Sequence, residues 1–178
     1  YRMLTTKASA TTGQTILVQG AGGGVATAAI VLGKAMELRV WVTSRDEQKG
    51  EWAVGIGADE AFPTGARLPD KVDAVIETVG EATWDHSLKS LRPGGIVVVS
   101  GATSGPMPPA QLNRVFFLQL TVAGSTMGTA QEFRQLIDLM SQQQISPIID
   151  RTLPMADARE GFAAMNEGTV RGKIVLTR

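Results

Sequence analysis

At 178 residues the chain is long enough for one good core and short of two full domains, and its 43% hydrophobic content is ordinary for a globular protein. Seventeen basic residues balance seventeen acidic ones, which excludes a global field for nucleic acid or an anionic membrane, and no apolar run is long enough to span a bilayer or reads as a signal peptide. The absence of cysteine excludes disulfides and thiolate metal sites within the chain and fits a cytoplasmic protein.

Residues 1–9 read as the tail of a helix whose opening turns precede Tyr1, so a piece of a longer protein is expected. Thr15–Gln19 is a short apolar run closed by glycines, as in a strand buried on both faces. Val25, Ala29, Leu32 and Met36 then recur at helical spacing, and Val40–Thr43 is a second strand. Asp46–Ile56 is a weaker helix, because Gly50 and Gly55 lower its propensity. Ala61–Pro63 and Asp73–Val79 are the third and fourth strands. Trp84, Leu88 and Leu91 mark one face of a helix that Arg92-Pro93-Gly94-Gly95 stops, ahead of a fifth strand at Ile96–Ser100. Pro109–Leu118 reads as helix and Leu120–Ser125 as the sixth strand. Thr129 and Glu132 have capping-box spacing before a helix with Phe133, Leu136, Ile137 and Met140 on one face. This alternation implies an α/β fold: a Rossmann-type, doubly wound, parallel six-stranded sheet with helices on both faces. It is expected to occupy residues 1–145, with 146–178 as a C-terminal segment.

Gly20-Ala21-Gly22-Gly23-Gly24-Val25 follows the first strand and opens the first helix. Backbone passes close to a pyrophosphate at such a loop, and the helix behind it offers unpaired N–H groups and its positive dipole end. Started at Ala21, the spacing is Ala21-x-Gly23-x-x-Ala26, with alanine in the closing place, as dinucleotide sites allow. The competing reading is a flexible glycine turn. The end of the second strand discriminates NAD from NADP, since a carboxylate there receives the adenosine ribose hydroxyls. Here the position is Ser44, followed by Arg45, with Lys49 one turn on, a set suited to a 2′-phosphate. NADP is therefore favoured, with NAD the alternative should the register shift to Asp46 or Glu47. Otherwise Arg45 and Lys49 are simply solvated. Topology adds the small-residue clusters Thr78-Val79-Gly80, Gly101-Ala102-Thr103 and Gly124-Ser125, which serve either as ligand-facing backbone or as plain turns.

Other groups carry less. His86, the sole histidine, is expected to be solvated on the helix side opposite Trp84 and Leu88. Asp85 and Lys89 form an (i, i+4) pair, Asp73 and Glu77 lack an evident acid/base partner, and Met155, Phe162 and Met165 suit a helix packing face. No catalytic residue and no metal ligand is assigned.

The stretches Thr15–Ile30, Val42–Ala61, Leu91–Thr103 and Arg171–Arg178, in that order, resemble the cofactor-binding domain of the medium-chain dehydrogenase/reductase superfamily, which includes zinc-type alcohol dehydrogenases and quinone oxidoreductases. The glycine loop looks more like the quinone oxidoreductase side. The resemblance implies that Lys173 lies near the cofactor. It also implies that the catalytic domain is mostly an N-terminal half, holding any zinc ligands, and that residues 146–178 return to complete it. The expected function is an NADP(H)-binding domain of an enzyme that moves hydride between nicotinamide and a carbonyl, quinone or activated alkene. The alternatives are an NAD-dependent zinc-type alcohol dehydrogenase and a non-catalytic dinucleotide module. A small-molecule substrate, no nucleic-acid or membrane partner, and inactivity of these residues alone follow. A homodimer is expected through the sixth strand, because Phe116–Gly124 is apolar and carries no charge or proline to block edge pairing.

Overall fold

A computed structural model describes residues 1–178. The elements, in chain order, are β1 (Thr15–Val18), α1 (Gly24–Ala35), β2 (Arg39–Ser44), α2 (Glu47–Gly55), β3 (Glu60–Pro63), β4 (Val72–Glu77), α3 (Glu81–Ser90), β5 (Leu91–Val99), α4 (Leu112–Phe117), β6 (Thr121–Gly124), α5 (Ala130–Gln142), β7 (Ile149–Pro154), α6 (Ala158–Glu167) and β8 (Lys173–Thr177). One wide helical turn, Met3–Lys7, precedes β1.

Strand side chains alternate between faces, and this sorts the core into two layers. Ile16, Val18, Val40, Val42, Ala74 and Ile76 point to one face, where Ile30 and Leu32 of α1 and Leu136, Leu139 and Met140 of α5 cover them. Leu17, Trp41, Val75 and Val97 point to the other, against Trp84 and Leu88 of α3. Both faces are apolar because both are covered, which is why β1 and β4 read as continuous apolar runs. Each fully buried Val or Leu contributes about 1.5–3 kcal/mol, so the helices have little freedom in where they dock.

Strands β1 to β6 form one parallel sheet in the order β3-β2-β1-β4-β5-β6. The order reverses between β1 and β4, where ligands bind in open parallel sheets. Strands β7 and β8 pair in parallel as a separate sheet joined through α6.

Some expectations are corrected. Arg92–Gly95 does not simply stop α3; it is the extended start of β5, with a register break opposite Val72 and Ala74. Pro93 supplies no N–H and Gly94 sits at φ +77°, so regular pairing resumes only at Ile96. Leu91, assigned to the α3 face, is buried at this junction instead. In α5 the packed stripe is Leu136, Leu139 and Met140, and Phe133 and Ile137 are exposed. In α6 the packed face is Gly161 and Ala164, whereas Phe162 and Met165 face solvent, as does Met155 before the helix. Gly161 permits this close approach, since a Cβ there would meet Ile174 and Leu153 at 3.3 and 3.4 Å.

Candidate dinucleotide-binding site

The glycine loop lies between the end of β1 and the start of α1, beside the order reversal. Gly20 and Gly22 have φ of +83° and +91°, a region side chains rarely tolerate. Gly23 caps α1 in extended conformation without a side-chain cap, and Thr27 N–H makes the first bond back to its carbonyl. The N–H groups of Gly24, Val25 and Ala26 therefore precede the intrahelical ladder and are available to an anion. A Cβ on Gly23 would meet nothing within 4 Å, so the space in front of the loop is open. A phosphate fits there on geometry and on dipole.

Ser44 ends β2 next to this loop. Its hydroxyl donates to Asp46 O at 2.7 Å and accepts from Asp46 N–H at 3.1 Å, holding a tight turn. The Asp46 carboxylate turns away to cap α2 by accepting from Lys49 N–H at 3.3 Å. Arg45 is exposed, and neither Arg45, Lys49 nor Lys173 forms an ion pair. The Lys49 chain runs over Gly22, 3.3 Å from where a Cβ would stand. Lys173, at the start of β8, places its ammonium against Gly24, 2.5 Å from the Cβ position there. Val25 is 44% exposed beside it.

The remaining clusters line the carboxyl ends of β4, β5 and β6. Two of them close on each other: Thr103 and Ser104 N–H groups donate to the carbonyls of Thr78 and Val79. Gly80 is buried beneath this join, with φ +90° and the Gly105 carbonyl 2.5 Å from its Cβ position. Its backbone is shaped by packing and does not face an open site. Gly101 lies over Thr78, while Ala102 and Thr103 are exposed above it. Gly124 and Ser125 follow β6, and Ser125 N–H bonds Val99 O at 2.8 Å. A cleft of about 850 Å³ joins Gly24, Val25, Ser125 and Lys173 with Ser100, Thr126, Met127 and Glu132. Ser44, Arg45 and Lys49 lie on the opposite side of the loop from that cleft, as an extended ligand crossing the sheet requires.

Several polar residues have partners that the sequence does not show. Glu77 is fully buried and accepts from the N–H groups of Val79 and Gly80 and from the hydroxyls of Thr83 and Ser87. His86 is not solvated as expected: its two nitrogens meet Gln19 Nε2 at 2.9 Å and Ala66 O at 2.8 Å. The expectation rested on helical spacing, which misses the loop 64–71 that covers this side of α3. Arg171, quoted above only within a longer match, reaches Gln48 on α2 at 3.2 Å. The Asp85–Lys89 pair is present at 2.7 Å on the surface, and hydrogen bonds from Lys89 and then Gln111 hold the Asp85 carboxyl below its usual range.

Residues 56–176 match the family model described as zinc-binding dehydrogenase. A zinc-type alcohol dehydrogenase-like protein of Leptosphaeria maculans is 33% identical, over 99% of this chain and 54% of that protein. An acryloyl-coenzyme A reductase of Metallosphaera sedula is 30% identical, over 93% of this chain and 51% of its own length. A mycobacterial protein solved in complex with NADPH superposes with a TM-score of 0.85 at 25% identity, covering 99% of this chain and 60% of that one. The chain thus spans about half the length of the curated relatives it matches. Nowhere in it do three or more His, Cys, Asp or Glu side chains converge as metal ligands.

Proposed function

The chain belongs to the zinc-binding dehydrogenase family, and from that premise we propose that it is the NADP(H)-binding portion of an oxidoreductase that moves hydride between nicotinamide and a small-molecule carbonyl, quinone or activated alkene. The observation that carries the cofactor preference is the end of β2. Its last residue is Ser44, the next is an unpaired Arg45, and the nearest carboxylate, Asp46, is occupied as a helix cap. A 2′-phosphate would meet the Arg45 guanidinium there, with the Asp46 carboxylate directed to the α2 N-terminus. The pyrophosphate would lie on Gly22, Gly23 and the first N–H groups of α1, with Lys173 beside it, and the nicotinamide end would extend toward Ser100 and Ser125. The cofactor supplies the hydride chemistry; these residues supply binding and orientation. Residues 146–178, with the β7-α6-β8 unit, would complete a catalytic domain built by further sequence, and the chain alone would bind nucleotide without turning over substrate. No helix is long and apolar enough to cross a membrane, and a cytoplasmic location suits a cofactor of this kind.

Titration of the chain with NADPH and NADH tests the reading. NADPH is expected to bind more tightly, and Arg45→Ala should weaken NADPH by about 1.5–3 kcal/mol, the range for a hydrogen bond to a charged group, with little effect on NADH. Equal affinities in the wild type would refute the preference for the 2′-phosphate.

A further inference from the structure

Beneath the glycine loop runs an unbroken buried chain of hydrogen bonds. Gln19 is 1% exposed, and Thr43, Glu77 and Ser87 are each 0% exposed. Gly20 N–H donates to Thr43 Oγ1 at 3.2 Å, and Thr43 Oγ1 donates to Gln19 Oε1 at 2.6 Å. Gln19 Nε2 meets both Ser87 Oγ at 3.0 Å and His86 Nδ1 at 2.9 Å, and Ser87 Oγ donates to Glu77 Oε2 at 2.5 Å.

The direction of every bond is set from the two ends. Ala66 O can only accept, so His86 Nε2 carries the proton and Nδ1 accepts from the Gln19 amide. Glu77 is ringed by donors and accepts from Ser87, leaving the Ser87 oxygen to receive the other amide hydrogen of Gln19. With both hydrogens committed, the Gln19 oxygen must face Thr43. The Thr43 hydroxyl then gives its hydrogen to Gln19 and keeps a lone pair for Gly20 N–H. A reversed amide would put two oxygens against each other at Ser87 and two nitrogen donors on Thr43.

We propose that Thr43 and Gln19 are positioning residues for the cofactor's pyrophosphate: through the Gly20 N–H they hold the loop in the left-handed turn that aims Gly22, Gly23 and the α1 N–H groups at the phosphates. This rests on the nucleotide-binding reading above. The bond from His86 Nε2 to Ala66 O sets the polarity of the whole chain from the loop 64–71. Gln19, buried directly after β1, has its amide satisfied by Thr43, Ser87 and His86.

Thr43→Val keeps the shape and removes the hydroxyl. In the full chain it should weaken NADPH and NADH alike, by about threefold to tenfold, the worth of one ordinary hydrogen bond. The NADPH-to-NADH ratio should not change, because Arg45 and Lys49 are untouched, and Thr43→Ser should restore wild-type affinity. A general loosening of the β2 end would instead disturb the ratio and would not be rescued by serine. Wild-type affinity in Thr43→Val overturns the proposal, as does equal weakening in Thr43→Ser. A wild type that binds neither nucleotide overturns the cofactor reading itself. Nitrogen NMR of the unmodified chain gives a second test that needs no variant, since His86 is the sole histidine. A hydrogen on Nε2 and a bare Nδ1 are expected, with and without NADPH. Protonation at Nδ1 instead overturns the assigned direction of the chain.

Discussion

Glycines at this site answer to two different demands, and substitution separates them. A Cβ on Gly23, at φ −73°, meets nothing within 4 Å. Gly23→Ala should therefore leave thermal stability within about 0.5 kcal/mol of wild type, the usual range for a surface change, while lowering affinity for both nucleotides, because the methyl occupies the space reserved for phosphate. A Cβ on Gly80, at φ +90°, stands 2.5 Å from the Gly105 carbonyl. Gly80→Ala adds strain to a backbone clash and should lose roughly 2 kcal/mol or more of stability. Thermal melts and nucleotide titrations on the two variants check this, and a Gly23→Ala that binds both nucleotides as wild type does would show that no phosphate sits against Gly23. The sequence showed these glycines only as a cluster after a strand. What it could not show was which of them face a partner in the chain and which face open space. The same is true of Gln19, Thr43 and Glu77. A polar residue near the end of an apolar strand is legible, but the side chains it meets are not: Gln19 bonds Thr43 of β2 and His86 and Ser87 of α3, and Ser87 also bonds Glu77.

Helix α5 shows what an element's sequence can carry and where it stops. Thr129 and Glu132 form the capping box their spacing predicts, with both reciprocal bonds present. The same Glu132 carboxylate also takes Arg2 at 2.6 Å and the Thr6 hydroxyl, tying α5 to the turn Met3–Lys7. The Thr129 backbone N–H first, then Thr6, then Arg2, hold its carboxyl at about 2 against an ordinary 4.5. A depressed carboxyl stabilises the fold above its unfolded value and loses that contribution as pH falls through its folded value. The margin in melting temperature of wild type over Glu132→Gln should therefore be full at neutral pH, hold down to about pH 4.5, and close as pH falls toward 2. A margin independent of pH across that window would assign the effect to packing alone. Local signals of this kind were legible throughout: strand runs, caps and the β2 end. Arg92–Gly95 was misread because a proline-glycine pair looks the same as a helix stop and as the irregular start of a strand. The β7-α6-β8 unit was not divided in advance: its strands are partly exposed, and β7 carries no continuous apolar run.

At the scale of the molecule, the six-stranded sheet ends in two bare edges, β3 and β6, and only one of them looks defended. Strand β3 is short and begins with Glu60. Strand β6 is Thr121-Val122-Ala123-Gly124, without charge or proline, and Val122 is 49% exposed. Phe116 and Phe117 just before it are 59% and 76% exposed, so they do not serve merely to close the core, although Leu118 does pack against it. An uncharged edge strand beside two exposed phenylalanines, with ring centroids 4.4 Å apart, is an aggregation hazard if left uncovered. We propose that a second copy covers it, with the β6 strands side by side about a two-fold axis so that one sheet continues through the dimer. Val122→Lys places a charge where the two strands would meet, on a side chain that is not part of the core. It should shift the chain toward monomer in light scattering without lowering its melting temperature at low concentration, and it should leave NADPH affinity unchanged, since β1, β2 and α1 are untouched. A wild-type chain that stays monomeric at high concentration would end the idea. A dimer that persists in Val122→Lys would move the interface elsewhere, toward the exposed apolar side chains of α5 and α6.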